Sequence, residues 1–343
     1  MTKCDEMSPP LQGVQNKVVR DKTFDVITGI FIVRIIFGHY MSLLHLNDCL
    51  LFQSMNVLFF FMPWFFFKSG VFCSSQRKNV KSFLGDNVRK FLLPYVLFTI
   101  VGIVVAFSVT LINEGSLLKT LLGECKAFAW KQAVHFNAPL WFLLSLCFVR
   151  VFFNFIRNAV NHYLLVLLSL LFAFAHYLFL ARYGLYWPGN LCSGLVFYIL
   201  GMKLKNLQYS KKVVIGSLIV LVAIGFFKPT FVTMYGNTLL YEDGIYLLWY
   251  PFCLAGIIVF NNLIKRVGFI LEHFHFNDIG HHSMVYYVVH WPIGLLIIAI
   301  YQKICTTSNN WELLVYLCLA WLGLLPLLTY VFNTKVMAKF IGR

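Results

Sequence analysis

The sequence predicts an all-α polytopic transmembrane helical bundle of about ten spans with both termini cytoplasmic. Three observations carry that expectation. The chain of 343 residues is 60% hydrophobic with a mean hydropathy of +0.77, more apolar surface than one soluble core of this size can hide. Charged residues make up only 12%, about half the share of a globular domain. The apolar runs are long and continuous, whereas a membrane barrel needs short alternating strands.

The spans fall roughly at 24–44, 50–72, 91–112, 139–156, 163–181, 188–204, 213–229, 244–261, 283–302 and 313–332. Residues 1–23 are polar, contain two prolines and lack the layout of a signal peptide, so they read as a short cytoplasmic tail. Residues 24–332 form the membrane domain and 333–343 a second cytoplasmic tail. The longest connection, 117–137, mixes Lys, Glu and aromatics in the manner of a surface-lying amphipathic segment. Charge supports the count. Twenty lysines and arginines hold or border the tails and the even-numbered connections, against six (Lys119, Lys126, Lys131, Arg182, Lys228, Lys303) on the opposite side. The positive-inside rule then sets both termini in the cytoplasm.

The net charge of +15 lies between hydrophobic runs, where it meets anionic lipid rather than nucleic acid. No nucleic-acid motif, P-loop or GxGxxG is present. The nine cysteines are scattered without a CxxC pair, which argues against a disulfide framework and a zinc site. No internal repeat of the transporter kind is found.

Few polar groups sit inside the spans, so each is informative. The first span, FDVITGIFIVRIIFGHY (24–40), places Asp25, Thr28, Ile32, Ile35 and His39 on one helical face. His39 is a candidate general base, since an imidazole titrates near neutral pH; the alternative is an interhelical hydrogen bond. Asp25 lies about 21 Å of helix rise away and cannot orient that ring. Arg34 projects roughly 140° from His39 on the same geometry, so the two need not meet.

The second constellation, FFFMPWFFFKSGVF (59–72), ends at Ser69 and Gly70 and leads through a basic stretch into VRKFLLPY (88–95). Arg77, Lys78, Lys81, Arg89 and Lys90 make this the most basic connection. Such cations suit the phosphates of a CoA donor, but on charge alone topology and lipid headgroups are the favoured reading. In APLWFLLSL (138–146), Trp141 reads alone as an interfacial belt residue. In NDIGHHSMVYYVVHWPIG (277–294), Ser283 opens the ninth span and His290 stands about two turns inside it. His273, His275, His281 and His282 lack the helical spacing of a zinc site, so no metal is expected.

Taken in order, these pieces resemble the acyltransferase-3 group of integral membrane acyltransferases, which O-acylate sugars and cell-surface polysaccharides. The resemblance runs from about Phe24 to Phe332. FDVITGIFIVRIIFGH resembles the family's opening helix, with Asp25, Gly29 and His39 in register. FFFKSGVF resembles its aromatic Ser-Gly motif, and RKFLLPY its basic stretch before a Pro-Tyr helix start. LWFLLSL and NLCSGLVFYILGMKL are similar to its middle spans, and IGHHSMVYYVVH to its ninth-span signature. Two positions depart: the basic residue eleven places before the histidine is Thr28 here, and the paired arginines fall on Asn87 and Lys90.

The resemblance implies acyl transfer, most often of acetyl, from an acyl-CoA donor to a hydroxyl of a saccharide or lipid-linked glycan, with no bound cofactor. His39 would be the general base, Arg89 and Lys90 would hold donor phosphates, and Asp25, Ser69, Trp141, Ser283 and His290 would line the site. No nucleophile elbow is present, which favours direct transfer over an acyl-enzyme. The implied partners are membrane lipid, acyl-CoA and a glycan acceptor, and the implied place is a bacterial cytoplasmic membrane. A transporter of lipid-linked sugars, or an inactive relative, uses the same intramembrane polar groups.

Overall fold

The computed structural model describes residues 22–74, 79–227, 231–240, 244–305 and 309–341. The tail up to residue 21, with Arg77, Lys78, Lys228 and Arg343, lies outside the described residues.

Helix α1 (Lys22–Leu43) opens with Asp25 in its first turn, where a carboxylate faces the positive end of the helix. A short helix (Leu50–Ser54) and a 3-10 turn (Met55–Leu58) lead into α2 (Phe61–Val71). The helix Val80–Asn87 passes through a π turn (Val88–Leu92) into α3 (Leu93–Ile112). Pro94 has no N–H for the helical ladder, and the wider turn just before it absorbs the mismatch. Arg89 and Lys90 are exposed on that turn.

Ser116 caps α4 (Leu117–Lys131), which ends where Gln132 adopts φ +64°. Only Glu124 and Ala127 of α4 are buried, as an amphipathic surface segment requires. A 3-10 segment (His135–Leu140) then enters α5 (Trp141–Ile156). The bundle continues with α6 (His162–Phe179), α7 (Trp187–Leu204) and α8 (Lys211–Phe227). A small hairpin pairs Val232 with Leu239 before α9 (Trp249–Glu272). A one-and-a-half-turn helix α10 (Phe276–His281) precedes α11 (Ser283–Ile304) and α12 (Asn310–Phe332).

The all-helical architecture agrees with expectation. Eight helical segments of the described residues are long and apolar enough to cross a membrane. The expected segments at 188–204 and 213–229 correspond to α7 and α8, which fall outside those eight. Pro188, Asn190 and several glycines dilute the hydropathy of α7, and α8 has only 17 residues. Helices α6 and α12 expose Leu167, Leu171, Phe172, Leu319 and Leu322 outward, a surface suited to hydrocarbon.

Helix α1 is the hub, packed on α9, α10, α11 and α12. Two crossings depend on glycine. A Cβ on Gly29 would lie 2.0 Å from the Phe276 carbonyl oxygen, and one on Gly280 would lie 1.8 Å from that of Asp25, so α1 and α10 touch backbone to backbone. Gly70 and Gly201 do the same for α2 and α7. Aromatic rings fill the remaining space: Phe31 sits edge-on to Phe60 and Trp64 and stacks on Phe260. Buried polar side chains also join the helices: Trp64 Nε1 donates to Asn261 Oδ1 at 2.7 Å, and Asn261 Nδ2 donates to Gln208 Oε1 at 2.8 Å.

A histidine pair at a membrane cavity

The geometry of the site begins with Pro292. Lacking an N–H, it leaves the Val288 carbonyl without its helical donor. Asn137 Nδ2 donates to that oxygen at 3.0 Å and so fastens the His135–Leu140 segment to α11. Tyr287 Oη donates to the Pro139 carbonyl, and Trp291 Nε1 to that of His135 at 2.9 Å. On the other side, Gly294 lets the Tyr40 ring approach, and Tyr40 Oη donates to the His290 carbonyl at 2.9 Å. The Tyr40 contact thus holds α1 against α11 beside the two histidines, while the other three hold the His135–Leu140 segment to α11.

His39 Nδ1 and His290 Nε2 are 2.8 Å apart, with the rings nearly parallel at 9°. The hydrogen-bond pattern assigns the protons. His290 Nδ1 lies 2.8 Å from the Tyr287 carbonyl and 3.2 Å from that of Tyr286, and a carbonyl only accepts, so Nδ1 carries a proton. His290 is fully buried, and among the described residues no carboxylate pairs with either ring. A buried charge without a counter-ion is costly, so the neutral form fits. His290 Nε2 then accepts from His39 Nδ1–H. That leaves the lone pair on His39 Nε2, which has no partner among the described residues. Trp291 stands edge-on to the same ring, with centroids 5.0 Å apart. The arrangement is an oriented base: one imidazole holds another in the tautomer that can take a proton at Nε2.

His39 lines a cavity of about 410 Å³ at this end of the bundle, a volume fit for a small ligand. Trp141, Tyr235, Phe61, Tyr287 and Trp291 give it aromatic walls, and Arg34, Ser42, Asn56 and Thr233 supply polar groups. Arg34 corrects the helical-wheel expectation, because it lines the same cavity as His39. The 140° between the two Cβ directions holds, but Gly38 offers no side chain and the guanidinium folds back over it. A Cβ there would lie 3.5 Å from Arg34 Nη1. Trp141 is only 5% exposed, so it serves the cavity wall rather than an interfacial belt.

The other expected residues gather toward the opposite end. Asp25 is buried at the start of α1. Ser283 is half-buried at the start of α11. Ser69 Oγ accepts from Arg150 Nη1 at 2.8 Å, and Arg150 Nε donates to Asn87 Oδ1 at 2.8 Å. Arg157 Nη1 donates to the Ser74 carbonyl at 2.7 Å, and both arginines line a small cleft with Cys73, Phe83 and Tyr198. At the same end Lys68 Nζ donates to Thr28 Oγ1 at 2.6 Å. Arg150, Arg157, Lys68 and the partnership of His39 with His290 were missed from sequence. One signal was available: of 28 lysines and arginines, Arg34, Lys68 and Arg150 lie four or more residues inside the expected spans.

Comparison with protein families finds a match to a model described as an acyltransferase domain over residues 21–329. No curated protein and no solved structure matches the chain.

Proposed function

This chain belongs to the acyltransferase-3 family, an integral membrane family of acyl transfer to hydroxyl acceptors, and from that premise we propose an O-acetyltransferase that uses acetyl-CoA and a saccharide acceptor in a bacterial cytoplasmic membrane. The observation that supports it best is the His39–His290 pair, which directs an unshared lone pair at His39 Nε2 beside a sugar-sized cavity.

In the proposed reaction the acceptor hydroxyl enters the aromatic cavity and hydrogen-bonds to His39 Nε2. As Nε2 takes its proton, the hydroxyl oxygen attacks the thioester carbonyl. The tetrahedral intermediate collapses, the C–S bond breaks, and the departing thiolate recovers the proton from His39 as CoA thiol. His290 moves no substrate proton; through its Nε2 it orients His39 and stabilises the transient imidazolium. With both termini cytoplasmic, the cavity end faces outward and the cationic end inward. Arg89, Lys90 and the Arg150–Arg157 cleft then suit the donor's phosphates. His39 is about 25 Å along α1 from Lys22, so the pantetheine arm extends into the bundle to deliver its acyl group.

Membranes containing the wild-type chain or His39→Ala, at matched expression, are supplied with labelled acetyl-CoA and a crude glycan acceptor pool. Label in glycan that disappears in the variant supports the reading. Wild-type-level transfer by the variant removes His39 from the chemistry. Absence of CoA release with every acceptor favours transport of a lipid-linked sugar instead.

A further inference from the structure

Arg34 has no counter-ion among the described residues. Among the described residues it makes no hydrogen bond or ion pair, and its Nε is buried without a partner. It rests on the face of Phe61, 3.8 Å from the guanidinium carbon to the ring centroid. A cation–π contact leaves the edge of the guanidinium, with its N–H donors, open to a ligand. None of the residues around the shared cavity is an aspartate or glutamate. A guanidinium so enclosed demands an anion, and the described residues supply none. The demand grows during transfer, when the His39 imidazolium adds a second positive charge to the same space.

We propose that the acceptor is anionic: a carboxylate or phosphate on the same sugar unit pairs with Arg34 and sets its hydroxyl toward His39 Nε2. The inference deepens the acyl-transfer reading and rests on it for the role of His39. The fork of Arg34 N–H donors matches the two oxygens of a carboxylate or phosphate. The aromatic walls take the ring faces, and the bound anion offsets the imidazolium, so binding and catalysis use one charge.

The test reads binding alone, so it stands or falls apart from acyl transfer. The full chain, purified in detergent, is titrated with glucose, glucuronate and glucose 1-phosphate. The wild type should bind at least one anionic sugar about tenfold to a hundredfold more tightly than glucose. Arg34→Gln should abolish that preference while leaving glucose affinity unchanged, and Arg34→Lys should retain part of it. Preference for glucuronate assigns a carboxylate, and preference for glucose 1-phosphate a phosphate. Equal affinity for all three sugars, failure of all three to bind, or an undiminished preference in Arg34→Gln overturns the proposal.

Discussion

If His290 acts only through His39, removing its ring must slow acyl transfer without touching the donor. His290→Ala deletes the acceptor of the His39 Nδ1–H bond at 2.8 Å and the anchor to the Tyr287 carbonyl. The helix crossing should survive, because Tyr40 donates to the backbone carbonyl of residue 290 rather than to its side chain. A buried donor left unsatisfied costs about 1–3 kcal/mol, which converts to roughly 5- to 150-fold in rate. His39→Ala, which removes the base itself, should cost about 10²- to 10⁴-fold. The double variant should fall no lower than His39→Ala, since the positioning residue has nothing left to position. Labelled-acetyl transfer at saturating donor, with the KM for acetyl-CoA measured alongside, gives all four rates. Equal losses in series, with the double variant lower than His39→Ala by the full His290→Ala factor, would refute the coupling. A His290→Ala enzyme at wild-type rate would refute it more simply.

The same geometry sets three further outcomes. Protonation at His39 Nε2 removes the lone pair, so kcat/KM should fall as the pH is lowered and level off above; a rate that rises toward acid contradicts the base assignment. Arg150→Met strips charged hydrogen bonds from Ser69 and Asn87, and the KM for acetyl-CoA should rise about tenfold or more, while an unchanged KM separates that cluster from the donor. Gly201→Leu drives a Cβ toward the Phe67 carbonyl at 2.1 Å and should lower stability in detergent by about 1–3 kcal/mol or more, whereas Gly216→Ala, with open space around it, should melt like the wild type.

Period and polarity made the helices and the scarce ionisable groups legible in the sequence. Long apolar runs marked the helices, and the few charges and imidazoles inside them marked His39 and His290. Their pairing was not legible, because 251 positions separate the two and only the packing of α1 on α11 joins them. The cause of that packing was partly visible as Pro292, but the carbonyl it exposes finds its donor in Asn137, on a 3-10 segment that no periodicity announces. Arg34 was misjudged for another reason. Helical geometry fixes where a Cβ points, while a long flexible side chain decides for itself where its charge lies, and Gly38 gave this one room.

The two departures from the family pattern yield to the same reasoning. Thr28 and Asn87 stand where the resemblance described above expects a basic residue, and each is hydrogen-bonded by a cation from another helix: Lys68 Nζ at 2.6 Å and Arg150 Nε at 2.8 Å. A charge acts through its position in space, so a lysine on α2 can serve the place of a lysine on α1. Lys68→Met should then weaken acetyl-CoA binding, and the exchange Thr28→Lys with Lys68→Met should restore part of it, because the ammonium returns to the same few ångströms from the neighbouring backbone. Thr28→Lys alone should not help, since it sets two ammonium groups against each other. Donor KM in membranes carrying each variant decides the matter. An exchange no better than Lys68→Met would mean that Lys68 holds α2 against α1 and has no part in donor binding.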